Sequence, residues 1–285
     1  MKFYIKEKSI TTNKNANKSL ILCISDLHYT KNLGNNFLMT LIQKICEINP
    51  TCICFLGDLC DDNSYEDVIN WLNTLAKVAP VYFIYGNHDI EKFKIGNKTY
   101  RVKTNLPGNV KSDIQNINNL TVLKGNSSAS INGVNFIGAN FFHNTHVDDA
   151  ISYMNRHTPN FKQDEFNIML CHNPKIMEVK TFDRLNEDYQ KNINCIVSGH
   201  THNGLVPPFL DFTNFNTGFY IKDQGLLPSL VKGYFESYNH SAFSDYTGII
   251  CPPLTTLPDR NAVFRKANEI IYQPGIQLIR VKKEN

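Results

Sequence analysis

The stretch Leu20-Ile21-Leu22-Cys23-Ile24-Ser25-Asp26-Leu27-His28 decides the fold. An apolar run of strand length stops abruptly at a carboxylate and an imidazole. The same unit recurs four more times along the chain. Thr51 to Leu56 runs into Gly57-Asp58, and Val81 to Tyr85 runs into Gly86-Asn87-His88-Asp89. Asn167 to Cys171 leads to His172, and Cys195 to Val197 leads to Gly199-His200-Thr201-His202. Each polar group therefore falls just beyond the carboxyl end of a predicted strand.

Between the first two strands, Phe37, Leu41, Ile45 and Ile48 recur at helical spacing, with Asn35 or Asn36 available as a cap and Pro50 as a stop. Between the second and third, Ser64 and Asp67 have the form of a capping box. Val68, Ile69, Leu72, Leu75 and Ala76 then make an apolar stripe that ends before Pro80. Strands alternating with helices predict an α/β fold with a largely parallel sheet, whose ligand crevice lies outside the carboxyl ends of the strands. Residues 120–142 break the alternation with two short strands around Asn132-Gly133, a dipeptide suited to a type I′ hairpin turn, and read as part of a second sheet. Gly275 to Val281 reads as a closing strand, 92–119 as a mobile insertion, and 204–258 as a loop-rich elaboration of one domain spanning 1–285.

The bulk numbers narrow the class. With 42% hydrophobic and 19% charged residues in 285, the chain can bury a sizeable core and does not have the composition of a disordered protein. A net charge of +3 is too mild for a nucleic-acid footprint, so no specific nucleic-acid partner is inferred; terminal lysines such as Lys2, Lys6, Lys282 and Lys283 read as solvated surface. No stretch approaches the ~20 apolar residues of a membrane span, and Met1 to Ser19 lacks the apolar centre of a signal peptide. Cys23, Cys52, Cys54, Cys171 and Cys195 lie in or beside the apolar runs, which predicts reduced interior thiols and a cytoplasmic location.

Two Asp, one Asn and four His at strand ends form a nitrogen and oxygen donor set suited to manganese, iron, zinc or cobalt rather than calcium. A divalent pair serves phosphate-ester hydrolysis because it neutralises charge, lowers the pKa of a bound water and steadies attacking and leaving oxygens; a carboxylate such as Asp58 can bridge two ions. Each fragment alone is a weak signal, but Gly-Asn-His-Asp and Gly-His-Thr-His are more specific, and all five occur in order after apolar strands.

These motifs, over residues 20–206, resemble those of the calcineurin-like metallophosphoesterase superfamily, and most of all its small bacterial phosphohydrolases. The resemblance implies a four-layer α/β-β/α sandwich of two mixed sheets flanked by helices, and two divalent or mixed-valence ions of manganese, iron or zinc. It implies that Asp26, His28, Asp58 and His202 hold one ion, and Asp58, Asn87, His172 and His200 the other. His88 matches the family's non-ligand histidine over the substrate phosphate, with Asp89 as the carboxylate that orients it. The implied reaction is hydrolysis of a phosphodiester or small phosphorylated molecule by in-line attack of a metal-bound hydroxide. A nuclease would call for a basic groove, which the net charge disfavours; an inert scaffold of the same fold would not need His88 and a complete ligand set.

Outside the motifs, His143, His146, His157 and His240 read as surface histidines. Neither Cys60 nor Cys171 is assigned as a ligand; Cys171 should turn away if its strand neighbour His172 turns in. The aromatics Phe209, Phe212, Phe215, Phe219, Tyr220, Tyr234, Phe235 and Tyr238 form either a lip that recognises the leaving group or a cover for the sandwich edge. Neither the oligomeric state nor the leaving group is legible.

Overall fold

The computed structural model describes residues 3–90, 92–95, 98–101, 106–125, 127–139, 147–202, 220–221, 225–226, 232–236, 246–255 and 274–284. The first half of the chain runs β1 (Tyr4–Thr12), β2 (Ser19–Ile24), α1 (Asn35–Ile48), β3 (Cys52–Phe55), α2 (Tyr65–Val78) and β4 (Val81–Phe83). A hairpin of β5 (Lys92–Ile95) and β6 (Lys98–Arg101) follows, then α3 (Gly108–Gln115) and β7 (Leu120–Val122). The second half holds β8 (Ser128–Ile131), β9 (Val134–Ala139), α4 (Val147–Arg156), β10 (Phe166–Cys171), α5 (Val179–Phe182), α6 (Glu187–Asn192) and β11 (Cys195–Ser198). The chain closes with β12 (Tyr220–Ile221), β13 (Gly225–Leu226), β14 (Gly233–Glu236), β15 (Thr247–Ile250) and β16 (Gly275–Lys283).

Two mixed six-stranded sheets result, in the orders β1-β16-β2-β3-β4-β7 and β14-β15-β11-β10-β9-β8. Within the first, β2, β3, β4 and β7 are parallel, and within the second, β9, β10, β11 and β15 are parallel. Strands covered on both faces read as unbroken apolar runs. Their two faces still separate with the strand period of two. Leu22, Ile24, Ile53 and Phe55 meet α1 and α2 in one core, whereas Ile21, Cys23, Cys52 and Cys54 meet Ile168, Leu170 and Val197 of the other sheet in a second core. Met169, Cys171 and Ile196 turn to α4, α5 and α6 in a third. Three apolar cores between four layers define an α/β-β/α sandwich.

The helices obey the predicted stripe. α1 buries Phe37, Leu38, Leu41, Ile42 and Ile45, on the order of 10 kcal/mol of gross hydrophobic stabilisation before the opposing conformational entropy. It ends at Asn49, whose left-handed φ of 49° lets its N–H reach the carbonyls of Ile45 and Cys46. Neither predicted cap forms. Gly34 precedes α1 without a side-chain cap, while the Asn35 and Asp67 side chains both accept from the Tyr29 hydroxyl. Ser64 precedes α2 without capping it, so the Ser64 and Asp67 capping box is corrected. The Asn132-Gly133 hairpin does form, with φ of 51° and 77°.

Three further corrections concern extent. β1 lies in the stretch read as a polar terminus; its alternating exposure marks a sheet-edge strand, paired in parallel with β16 from Tyr4↔Gly275 to Thr12↔Lys283. The expected 92–119 insertion contains a hairpin and α3, which buries Val110 and Ile114. Inside the expected 204–258 elaboration, β14 and β15 are strands of the second sheet. Phe209, Phe212, Phe215, Phe219, Tyr238, His143, His146 and His240 lie outside the described residues. All eight cysteines are reduced thiols, and only Cys46 is exposed. No helix among the described residues is long and apolar enough to cross a membrane.

Candidate metal centre

At the carboxyl edge the two sheets converge. The segment after β2 is tied to the segment after β15 by a bridge between Ser25 and Pro253 and by N–H bonds from Leu254 and Thr255 to the carbonyls of Ser25 and Asp26. It is tied to the segment after β3 by Asp26 N–H to Gly57 O and His28 N–H to Asp58 O. The loops after β3 and β4 meet backbone to backbone: a Cβ on Gly57 would lie 2.2 Å from Gly86 N, and one on Gly86 would lie 2.5 Å from Asp58 N, so each position needs glycine.

Among the described residues, eight non-glycine residues have positive φ, and five of them are Asp26, His28, Asp58, His200 and His202. The other three are asparagines, which tolerate this region at least cost. An aspartate or histidine held there carries strain of order 1 kcal/mol or more, a concentration typical of functional sites. These left-handed residues stand just beyond β2, β3 and β11, in the segments that carry five of the expected ligands.

There the seven residues expected as ligands lie together. Three clusters, Asp26 with His28 and His202, His28 with Asp58 and His88, and Asp58 with His172 and His200, each bring their donor atoms within 4.8 Å of one another. Asp58 Oδ2 stands 3.5 Å from His28 Nε2 and 3.3 Å from His172 Nε2. His172 Nε2 is also 2.9 Å from Asn87 Oδ1 and 3.1 Å from His200 Nδ1, while Asp26 Oδ1 is 3.6 Å from His202 Nε2. These spacings bracket the roughly 3.0–3.4 Å expected between adjacent donors around an ion with ligand distances of ~2.0–2.2 Å.

In five of these residues the second side-chain atom is already engaged. Asp26 Oδ2 accepts the His200 N–H at 2.9 Å, and Asp58 Oδ1 the His88 N–H at 2.8 Å. His172 Nδ1 donates to Leu56 O at 2.7 Å, His28 Nδ1 to Asp61 Oδ1 at 3.0 Å and His202 Nδ1 to Thr255 O at 3.3 Å. Each bond fixes the tautomer that leaves Nε2 with its lone pair turned toward the carboxylates. Asp26 Oδ1 and His28 Nε2 are buried without a hydrogen-bond partner. Orphaned donor atoms of this kind, converging on one space, fit divalent ions.

Charge balance agrees. Burial opposes charge on His28 and His172, but Asp61, Asp58 and Asp26 around the first and Asp58 and Asp26 around the second outweigh it and raise each to about 9. Burial depresses His202 to about 4 despite Asp26. Burial alone would raise Asp58, yet His172 and His28 hold it well below the usual carboxylate range. Cations bound here would take over the role these protons play.

Asp89 needs correction. Its carboxylate does not orient His88 but accepts the N–H groups of Asp58 and Gly86 at 2.8 Å and of Leu59 at 2.9 Å, fully buried. It is the clamp between the loops after β3 and β4. The carboxylate on His88 Nδ1 is Asp61, at 2.9 Å. Sequence reasoning missed it, although it lies three residues after Asp58 on the same loop. His88 itself is 29% exposed, at the mouth of the cluster. Cys171 faces the third core, as expected, and His157 stacks on Tyr153 at the surface.

A two-sheet sandwich with Asp, Asn and His side chains gathered at its carboxyl edge defines a class of metal-binding α/β proteins. The chain belongs to the calcineurin-like phosphoesterases, whose family model matches residues 19–204. It is 25% identical over 202 residues to the metallophosphoesterase Cj0846 of Campylobacter jejuni, covering 70% of this chain and 48% of that one. It is 28% identical over 184 residues to the DNA double-strand break repair protein Mre11 of Methanococcus maripaludis, covering 60% and 45%. The chain spans about half the length of the curated relatives it matches. A dimetal phosphatase from Danio rerio superposes with a TM-score of 0.42 at 10% identity, covering 82% of this chain and 87% of the other.

Proposed function

We propose that this chain is a metal-dependent phosphohydrolase that cleaves a phosphodiester or a small phosphorylated molecule at a two-ion centre. The observation that carries the reading is Asp58 Oδ2 standing between His28 Nε2 and His172 Nε2, with Asp26 Oδ1 and His28 Nε2 buried without a hydrogen-bond partner. One ion is assigned to Asp26, His28, Asp58 and His202, the other to Asp58, Asn87, His172 and His200. Manganese, iron or zinc suits these donors. When bound, such ions activate a water and offset phosphoryl charge.

The protein's own groups do the rest. Asp61 accepts the Nδ1–H of His88, and with the ring as imidazolium the second N–H, on Nε2, is the one that protonates the leaving oxygen or donates a hydrogen bond to the phosphoryl group. Asp89 fixes the two loops that carry Asp58 and Asn87, and so sets the separation of the donors.

The test is hydrolysis of an aryl phosphodiester, an aryl phosphomonoester and an oligonucleotide by Mn2+-loaded wild-type protein, Asp58→Asn and His88→Asn. The reading expects Asp58→Asn to lose metal and turnover, and His88→Asn to keep metal and lose roughly 10²- to 10⁴-fold in turnover. Wild-type protein that binds Mn2+ in stoichiometric amount and cleaves nothing, with His88→Asn indistinguishable from it, makes the chain a scaffold instead. Preferential cleavage of the oligonucleotide makes it a nuclease.

A further inference from the structure

The cations of one short hairpin outweigh the net charge of the whole protein. The chain carries +3, whereas Lys92, Lys94, Lys98 and Arg101, among the eight residues of β5 and β6, carry +4, so the rest sums to −1. We propose that this hairpin recognises a second phosphate of the substrate, one linkage away from the phosphoryl group cleaved at the metal centre. The inference rests on the function proposed above and narrows its substrate to a molecule bearing at least two phosphates.

The hairpin is rooted in the loop that carries Asn87 and His88. The chain departs after Asp89 and comes back to it, where Leu106 N–H bonds to Asp89 O at 3.3 Å and Leu106 is buried in the first core. Lys92 follows His88 by four residues, so their Cα atoms are at most ~14 Å apart. From that root in the first half of the chain, β5 comes to lie beside α4, which starts beyond the carboxyl end of β9 in the second half. The hairpin therefore stands across the edge at which the two sheets converge on the seven proposed ligands.

Register concentrates the charge. Lys92 lies opposite Arg101 and Lys94 opposite Thr99, and residues two apart along a strand share a face, so Lys92, Lys94 and Arg101 take one face of the ribbon and Phe93 and Tyr100 the other. Like charges directly opposite each other weaken a pair, and a two-stranded ribbon is marginal in water. An anion over the cationic face offsets both costs. Phosphate suits such a face because Arg and Lys give it charge-assisted hydrogen bonds. The first turn of α4 carries Asp148, which is paired with Arg184, and Asp149, an internal rival for the hairpin cations.

The test compares two esters with the same leaving group: the p-nitrophenyl ester of thymidine 5′-phosphate, and the same ester carrying a 3′-phosphate. Mn2+-loaded wild-type protein is expected to favour the 3′-phosphorylated ester by roughly 10- to 100-fold in kcat/KM, a preference that shrinks with added salt. Replacing the four cations together, Lys92→Gln, Lys94→Gln, Lys98→Gln and Arg101→Gln, brings the ratio of the two kcat/KM values near one at wild-type Mn2+ affinity. The pair Lys92→Gln and Lys94→Gln gives an intermediate ratio. Lys162→Gln with Lys180→Gln, at exposed positions before β10 and on α5, removes charge elsewhere and keeps the preference. Extending the 3′ end to a short oligothymidylate separates two bearers of the second phosphate: a continued rise in kcat/KM with length marks a nucleic-acid strand, and a plateau marks a small bisphosphate.

Equal kcat/KM for the two esters in wild-type protein overturns the proposal while the phosphohydrolase reading stands; if Asp149→Asn and the quadruple variant then lower the melting temperature alike, the cations serve α4. A preference that survives the quadruple variant, or that disappears with Lys162 and Lys180, overturns it too. Should wild-type protein hydrolyse neither ester, isothermal titration decides. Thymidine 3′,5′-bisphosphate bound about 10-fold more tightly than thymidine 5′-phosphate, with the difference lost in the quadruple variant, upholds the hairpin site as the phosphohydrolase reading falls. Equal affinities overturn both.

Discussion

Replacing Gly86 by alanine probes the site through sterics alone. Gly86 is not in the left-handed region, so its backbone accepts an alanine without strain. The added Cβ would nevertheless lie 2.1 Å from Asp58 Oδ1, 2.5 Å from Asp58 N and 2.8 Å from Asp58 Cγ. Ordinary contact begins at 3.4 Å, so the carboxylate must retreat by about 1.3 Å (3.4 minus 2.1). Rotating the side chain does not relieve the backbone clash, so the whole loop after β3 must withdraw from the loop after β4. Overpacking of this kind costs about 1–3 kcal/mol, and a displacement near 1 Å at a reacting centre costs about 10²-fold in rate. The variant should unfold cooperatively in urea at a lower midpoint, bind Mn2+ more weakly at both positions and lose turnover. Wild-type Mn2+ affinity and turnover in Gly86→Ala would refute the claim that Asp58 is held in place by its contact with this loop.

Three further outcomes are expected. Asp89→Asn points an NH2 group at one or more of three backbone N–H donors and should destabilise the fold by about 1–3 kcal/mol in urea unfolding; a change within ~0.5 kcal/mol would contradict the clamp. Because the folded pKa values of His28 and His172 are both raised to about 9, their contribution to ion-free stability is complete below the unfolded value of about 6.5 and is lost as pH rises through 9. The melting temperature of chelator-treated protein should fall across that window while Mn2+ affinity rises with proton release; a melting temperature that climbs instead would reverse the assignment. Gly133→Ala, with φ of 77° and a Cβ 1.9 Å from Asn15 O, should lower stability yet leave the turnover of folded, Mn2+-loaded protein unchanged, which activity at matched folded fraction would check.

The sequence was informative where one residue type answers to one physical cause. β3 and β10 are fully buried and β2 is buried except at Leu20, so their apolar runs could be read without knowing their neighbours. The edge strand β1 could not: Lys6, Glu7 and Lys8 resemble a solvated terminus until β16, some 270 positions later, supplies the pairing partner. Asp67 looked like a capping residue because Ser64 is three positions away, but the Tyr29 hydroxyl arrives from another element. Asp89 and Asp61 show the same limit at the site. Asp89 neighbours His88 in sequence, yet backbone N–H groups of the adjoining loop claim it, and the partner of His88 comes from the loop after β3. The seven proposed ligands were recognisable by type and position; the left-handed turns that gather five of them depend on contacts between loops that no local pattern encodes.

A crystal of the protein grown with Mn2+ and measured at the manganese absorption edge tests the central claim most directly. Two anomalous peaks about 3.5–4 Å apart are expected, one bonded to Asp26, His28 and His202, the other to Asn87, His172 and His200, with the Asp58 carboxylate reaching both. A single peak, or a pair that Asp58 does not join, would contradict the two-ion centre.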